Sequence, residues 1–437
     1  MLKDEYIYQE IQEQLRLIKI HQNAPKISIP DVKGKIIITG AGDSFCASEF
    51  GEWILKDKYN VITLPAMDAL QYSSISNDDI LSAIGNSRDC SLQKQAGCLQ
   101  YYSDKRVRAT KLTKNDVVIG ISVSGRTNRI IEIFKLAKRA GAYTIAITDN
   151  ANSPASQLAD ETWLILASPQ EELKHSSYKL KEAKEYIGYH HDVAQTKTFW
   201  AVLLTLIRAS QYKIDWKCLN KNTKKLLSEN FYKFILNKSK IWAEAKQTFF
   251  LSTYPFNIIS RFATYKMYEY NLIAHFTEME EYCHTQYFIT RKNDNVVFLC
   301  HNDFTLKRAL EIIPTIKKLF SANIILIKMG NRPKSSVSIF QCDSSLSPFK
   351  EKMDENKSRD RRLASVPTFS NKDITLIEIP QTQDSIIQFL EMVIAVEWLT
   401  YLIGRVNAKN INTFHAGFNT EELVKGSYYI IRKSSLF

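Results

Sequence analysis

Ser122, Ser124 and Thr127 place three hydroxyls within six residues of a stretch, Asp116 to Asp149 (DVVIGISVSGRTNRIIEIFKLAKRAGAYTIAITD), in which a buried strand runs straight into an amphipathic helix. A strand that delivers hydroxyls to the first turn of a helix also brings unpaired backbone N–H groups there, and that combination binds phosphate. Gly125 permits close backbone approach to such a group. Serine and threonine are also ordinary helix caps in any protein, so the weight rests on three hydroxyls and a glycine together. The expected ligand is a small phosphorylated molecule.

A second turn of this kind, Gly40-Ala-Gly42-Asp43-Ser44, follows a strand-like run at Lys35 to Thr39 and opens a helix over Phe45 to Lys56. It is not a dinucleotide fingerprint, because phenylalanine stands at position 45 where G-x-G-x-x-G needs glycine. A nicotinamide cofactor is therefore disfavoured. Further strand-like runs at Val61 to Pro65, Val117 to Ile121, Tyr143 to Thr148 and Thr162 to Leu166 alternate with helical patterns. Short apolar runs separated by helices predict a parallel sheet covered on both faces, hence a doubly wound α/β unit whose loops meet a ligand at the carboxyl edge of the strands. Helical patterns at His191 to Gln211 and Lys221 to Lys246 lead to a second such unit, with strand-like runs near Phe256 to Ser260, Val296 to Cys300, Ile324 to Lys328 and Ile374 to Ile379 and a helix over Leu306 to Phe320. One plan is repeated about half a chain apart, the mark of duplication. The turn His301-Asn-Asp-Phe-Thr305 in the second unit lacks paired serines and glycine, so one phosphate pocket is expected, in the first half. The organisation predicted is an amino-terminal helix over 1–24, a phosphate-binding unit over 25–220 and a second unit over 221–437. Ser74 to Thr113 and the charged stretch Glu351 to Ser365 are expected as insertions without chemistry.

With 437 residues, 45% hydrophobic and 24% charged, the chain has the size of two ordinary domains and the composition of a folded soluble protein. The most apolar segment, Met392 to Gly404, is short for a membrane span and contains Glu397. The first twenty residues form a charged amphipathic pattern without the cleavage signature of a signal peptide, so cytoplasmic residence is expected. The formal charge of +12 comes from dispersed lysines and arginines, which describe a solvated face better than a nucleic-acid recognition surface. Seven scattered cysteines never spaced C-x-x-C predict reduced thiols, with no metal site and no cofactor.

Strand, G-x-S turn, then I-S-x-S-G-x-T opening a helix, in a duplicated α/β chain, resembles the sugar isomerase (SIS) family, most strongly over Gly34 to Leu166. The family implies two tandem doubly wound, flavodoxin-like domains with parallel five-stranded sheets, a sugar phosphate as ligand and a homodimer. By position, the resemblance puts Gly42, Asp43 and Ser44 with Ser122, Ser124, Gly125 and Thr127 at the phosphate. It also puts Val193-Ala-Gln195-Thr-Lys197-Thr-Phe199 beside the sugar, where Gln195 replaces a family serine. Asp43 stands where the aminotransferases of the family have threonine, and a carboxylate beside phosphate is repelled, so it is expected to face sugar hydroxyls or to turn away.

In the second half, Lys266-Met-Tyr-Glu269 resembles the family's K-L-K-E helix, and the resemblance implies a catalytic glutamate in Glu269 with Lys266 beside it. Glu281-Tyr-Cys-His284 resembles the E-L-K-H element whose histidine opens the sugar ring from the partner subunit. Asn412-Thr-Phe-His415 falls on N-L-A-K, with histidine in place of a Schiff-base lysine; imidazole forms no imine, which counts against full amino transfer. Moving a proton between adjacent carbons through an enediol needs one carboxylate as base and acid, a role open to Glu269. Ring opening suits His284. Lys266 and Glu269 at i and i+3 could equally form an ordinary ion pair. His190, His191 and Asp192 precede the sugar-bordering segment and could enter the pocket. The expectation is an aldose–ketose isomerase for a hexose or amino-hexose 6-phosphate. The alternatives are an aminotransferase or deaminase without the amino-terminal domain that releases ammonia from glutamine, and a non-catalytic phosphosugar-binding regulator; the segment before Lys35 is too short for a helix-turn-helix module.

Overall fold

A computed structural model describes residues 5–74, 112–168, 196–330, 374–411, 414–418 and 422–423. The first unit runs β1 (Ile36–Gly40), α3 (Asp43–Leu55), β2 (Val61–Pro65), α4 (Ala66–Ser74), β3 (Val117–Ile121), α5 (Asn128–Arg139), β4 (Tyr143–Thr148), α6 (Pro154–Leu158) and β5 (Glu161–Leu164), preceded by α1 (Tyr6–Gln12) and α2 (Gln14–Asn23). Three helices, α7 (Lys197–Ser210), α8 (Trp216–Leu226) and α9 (Glu229–Ala243), lead to the second unit. That unit comprises β6 (Thr248–Ser252), α10 (Asn257–Glu269), β7 (Ala274–Glu278), α11 (Met279–His284), β8 (Asn295–Cys300), α12 (Asp303–Phe320), β9 (Asn323–Met329), β10 (Ile374–Ile379) and α13 (Ser385–Asn407).

Each unit contains one parallel five-stranded sheet, in the orders β2-β1-β3-β4-β5 and β10-β9-β8-β6-β7. Renumbered from its own first strand the second order is the same as the first, 2-1-3-4-5, the flavodoxin-like arrangement. Duplication is thus written in topology as well as in strand spacing. The cause is visible in β1, β3 and β4: each is an almost unbroken apolar run, as a strand buried on both faces must be.

A single large core joins the inner faces of the two sheets. It includes Ile36, Ile119 and Ile145 from the first and Phe250, Val297 and Ile325 from the second, with α7 and α13 between them. Smaller cores cover the outer faces, under α4 and α5 on the first sheet and under α11 and α12 on the second. The apolar segment around Met392 to Gly404 is longer than its sequence suggests, because it belongs to α13, 23 residues long. By length and composition alone α13 could cross a membrane, but 94% of its apolar window is buried inside the protein. Its hydrophobicity is that of a core helix touched on all sides.

Three sequence expectations are corrected and one strand is added. Phe256 to Ser260 is no strand; it forms the start of α10, and the first strand of the second sheet is Thr248–Ser252. Edge strand β7, AHFTE, has one buried and four half-buried residues and so shows no apolar run. Lys221 to Lys246 is two helices, because Ser228 caps α9 by accepting from Phe231 N–H. The amino-terminal helix is likewise divided at Glu13. Gln195, His190, His191, Asp192, most of Ser74 to Thr113 and the whole of Glu351 to Ser365 lie outside the described residues.

Candidate active site

The carboxyl edge of the first sheet is built by two turns. In the first, Gly42 caps α3 with φ of 58°, a left-handed conformation, and a Cβ there would meet nothing within 4 Å, so the backbone angle and not crowding calls for glycine. Asp43 and Ser44 then occupy the first helical turn, where an acidic side chain favours the dipole.

In the second turn, Val123 O accepts from Asp149 N–H (2.9 Å) and from Thr148 Oγ1 (2.9 Å), which pins the loop to the end of β4. Gly125 has φ of 64°, and a Cβ on it would lie 2.0 Å from Ser153 Oγ. The close approach that requires glycine is thus made to the protein's own α6 cap. Ser122 is 4% exposed, and its hydroxyl shares a 2.9 Å hydrogen bond with Thr127 Oγ1. Thr127 caps α5 without using its side chain on the helix N–H groups. Ser124 and Thr127 are half-buried. The geometry therefore separates the hydroxyls: Ser122 orients Thr127 from behind, while Ser124 and Thr127 stand at the partly open surface.

The second unit sends α10 against α3. Lys266 is fully buried, and its Nζ lies 2.5 Å from Asp43 Oδ2 and 2.8 Å from Glu269 Oε2. Asp43, its side chain 25% exposed, is thus turned to the lysine of the other half. The Lys266–Glu269 pair is no ordinary surface pair, since its lysine is enclosed and its glutamate 34% exposed. A parallel ion pair, Arg261 Nη1 to Glu49 Oε1 at 2.9 Å, joins the same two helices. Burial pushes the Glu269 carboxyl up to about 7, with Lys266 pulling it down and Asp43 pushing it further up. Burial alone lowers an ammonium, yet Asp43 and Glu269 outweigh it and hold Lys266 above the usual lysine range.

Glu10, Glu13, Gln14, Thr196 and Glu397, which sequence reasoning missed, join the expected Lys197 in this region. Thr196 N–H donates to Glu10 Oε2 at 2.8 Å, and Lys197 Nζ lies 3.1 Å from Glu13 Oε2. Lys197 opens α7 and is 12% exposed. Glu397 of α13 accepts from Gln14 Nε2 and, wholly enclosed, is pushed by burial to about 8. The signal was present in part: Gln14 falls on the apolar stripe Ile7, Ile11, Leu17 and Ile18, and a polar residue there needs a buried partner.

One candidate stands apart, and another is described only in its backbone. His284 ends α11, 72% exposed, with Glu280 at 3.6 Å, and no hydrogen bond or ion pair among the described residues joins it to Glu269. His415 belongs to a short 3-10 turn, Phe414–Gly417, that packs on α10. Its side chain is not among those described.

A duplicated 2-1-3-4-5 sheet with a serine-rich turn opening a helix is the architecture of a known class, and the SIS domain family matches residues 100–182. The chain thus carries a SIS-domain match over that part of its first half. It is similar in sequence to N-acetylmuramic acid 6-phosphate etherase 1 of Bacillus licheniformis, 28% identical over 172 residues, covering 38% of this chain and 51% of that protein. The N-acetylmuramic acid 6-phosphate etherase of Bacillus subtilis is 30% identical over 142 residues, 31% of this chain and 41% of that one. The chain thus spans about half the length of the curated relatives it matches. In fold it is similar to the C-terminal domain of glucosamine-fructose-6-phosphate aminotransferase from Francisella tularensis, with a TM-score of 0.60 at 14% identity over 94% of this chain and 98% of that one. The tagatose-6-phosphate ketose/aldose isomerase of Escherichia coli also gives a TM-score of 0.60, at 13% identity over 94% of this chain and 95% of that one.

Proposed function

We propose that this protein is a SIS-domain enzyme acting on a sugar phosphate, and that its reaction is the interconversion of an aldose and a ketose form of a hexose or amino-hexose 6-phosphate. Ser44, Ser124 and Thr127, with the N-termini of α3 and α5, hold the phosphate. Glu269 takes the proton from one carbon and returns it to the next, with the enclosed Lys266 holding the glutamate in place. The observation that carries this reading is Glu269 itself: partly open, bound to an enclosed lysine, and lifted to about 7, where a carboxylate can both accept and return a proton at neutral pH. A glucosamine-fructose-6-phosphate aminotransferase domain and a tagatose-6-phosphate ketose/aldose isomerase share this fold over nearly the whole chain, which agrees with a sugar-phosphate reading.

Ether cleavage is the second reading, supported by the names of the curated relatives. The two share a first step, loss of the proton beside the carbonyl, so one experiment examines both. Fructose 6-phosphate, glucosamine 6-phosphate and N-acetylmuramic acid 6-phosphate are incubated with the protein in D2O, and deuterium at C1 and C2 and the products are followed by NMR. Isomerisation gives the partner sugar with deuterium at C2 where the product is an aldose and at C1 where it is a ketose, and ether cleavage releases lactate. Glu269→Gln is expected to lower exchange about 10²- to 10⁴-fold, the usual contribution of a general base. Unchanged exchange in that variant rejects Glu269 as the base.

We further propose a homodimer in which His284 serves the partner's site, since within one chain it lies apart from Glu269 and exposed.

A further inference from the structure

The amino-terminal helices belong to neither sheet, yet both send a carboxylate or its backbone support to the start of α7. Glu10 on α1 accepts the Thr196 N–H at 2.8 Å. Glu13, at the junction of α1 and α2, meets Lys197 Nζ at 3.1 Å and Arg16 Nη2 at 2.9 Å. Thr196 has no exposed surface, and α7 begins at the next residue with no side-chain cap of its own. A helix N-terminus whose N–H groups lack a side-chain cap is held by what is packed against it. Here that is Glu10, a half-buried acid also within electrostatic reach of Lys197 and of Lys266 across the molecule.

We infer that Glu10 and Glu13 are positioning residues: they fix the Thr196–Lys197 turn, so that Lys197 is presented to the ligand from one orientation and the ordering of a flexible ammonium is completed before binding. This rests on the sugar-phosphate reading above. Glu10 acts through the backbone of Thr196 and Glu13 through the Lys197 ammonium. The two acids leave different signatures, since an amide can still accept an N–H but cannot hold an ammonium as an ion pair.

The test is the affinity of the full chain for fructose 6-phosphate and glucosamine 6-phosphate, by titration calorimetry, with thermal unfolding to confirm that each variant is folded. Glu10→Leu is expected to weaken binding about tenfold, and Glu10→Gln to recover most of that loss. Glu13→Gln, on a half-exposed side chain where folding is not at stake, is expected to weaken binding about fivefold. If wild-type protein binds these compounds and Glu13→Gln and Glu10→Leu bind equally well, positioning is overturned and the sugar-phosphate site stands. Where Glu10→Leu fails to fold, unchanged affinity in Glu13→Gln alone overturns it. Absence of binding by the wild-type protein overturns both.

Discussion

Lys266 has no exposed surface and keeps its charge because two carboxylates share it, one from each half of the molecule. That arrangement makes Glu269 tunable. As a base it must be ionised, and burial has lifted it to about 7, so kcat/KM for the proposed isomerisation is expected to rise as pH increases through 7 and to level off above it. Asp43 pushes Glu269 up by repulsion and also occupies the lysine that would pull it down. Replacing Asp43 with asparagine removes both influences in the same direction. The rising limb of the profile in Asp43→Asn is therefore expected to move about half a unit to one unit toward acid. A limb that stays in place, or moves toward alkali, shows that the rate does not report this carboxylate. Sequence alone supplied the candidates Lys266 and Glu269 through a four-residue likeness. It could not show that Asp43, more than two hundred positions away, closes the triad, because that contact exists only when α3 and α10 pack across the two units.

Among the elements, α13 carries the clearest consequence. Two glutamates, Glu391 and Glu397, lie buried on it, both pushed by burial to about 8. Gln14 Nε2 donates to one oxygen of Glu397, while the other oxygen and Gln14 Oε1 have no partner. A proton on Glu397 supplies the missing donor and closes an acid–amide ring that satisfies both. The folded state then holds a proton that the unfolded chain loses near its ordinary value of about 4.5, so this contribution to stability is greatest in acid and falls as pH rises toward 8. Glu397→Gln makes the same ring without a titratable proton. Urea unfolding is expected to show the variant gaining on the wild type by about 1–3 kcal/mol between pH 5.5 and pH 8. A constant difference across that range contradicts a neutral Glu397. Elements with a single period were legible beforehand: β2, β3, β4 and β10 have the bounds that their apolar runs indicate. Failure came where burial did not follow the expected period. Phe256, Ile258, Ile259 and Phe262 are all buried because α10 packs on α3 and α13 as well as its own sheet, and so its first turn imitates a strand. Strand β7, at a sheet edge, shows the opposite error, with too little burial to leave a pattern.

On the scale of the whole molecule, duplication followed by division of labour explains why the two halves differ at the same edge. The first sheet keeps a glycine turn before α3 and a serine-rich turn before α5. In the second, β8 is followed by His301, whose ring stacks on Phe256 at 4.3 Å, and by Asn302, which makes a capping box for α12 with Thr305. The proposed base comes instead from α10, the helix that reaches back to the first half. His284 does not join this assembly within one chain, and the proposed homodimer predicts that it acts on the partner's site. Glu269→Gln and His284→Ala, each inactive alone, are then complementary when mixed and allowed to exchange subunits. Random exchange puts half of the protein in mixed dimers with one complete site of two, so activity is expected to return to about a quarter of wild type. The recovery must depend on total concentration and vanish on dilution below the dimer's dissociation constant. A mixture that stays inactive while mass measurements show mixed dimers places His284 outside the reaction, and ring opening then falls to a group of the same chain.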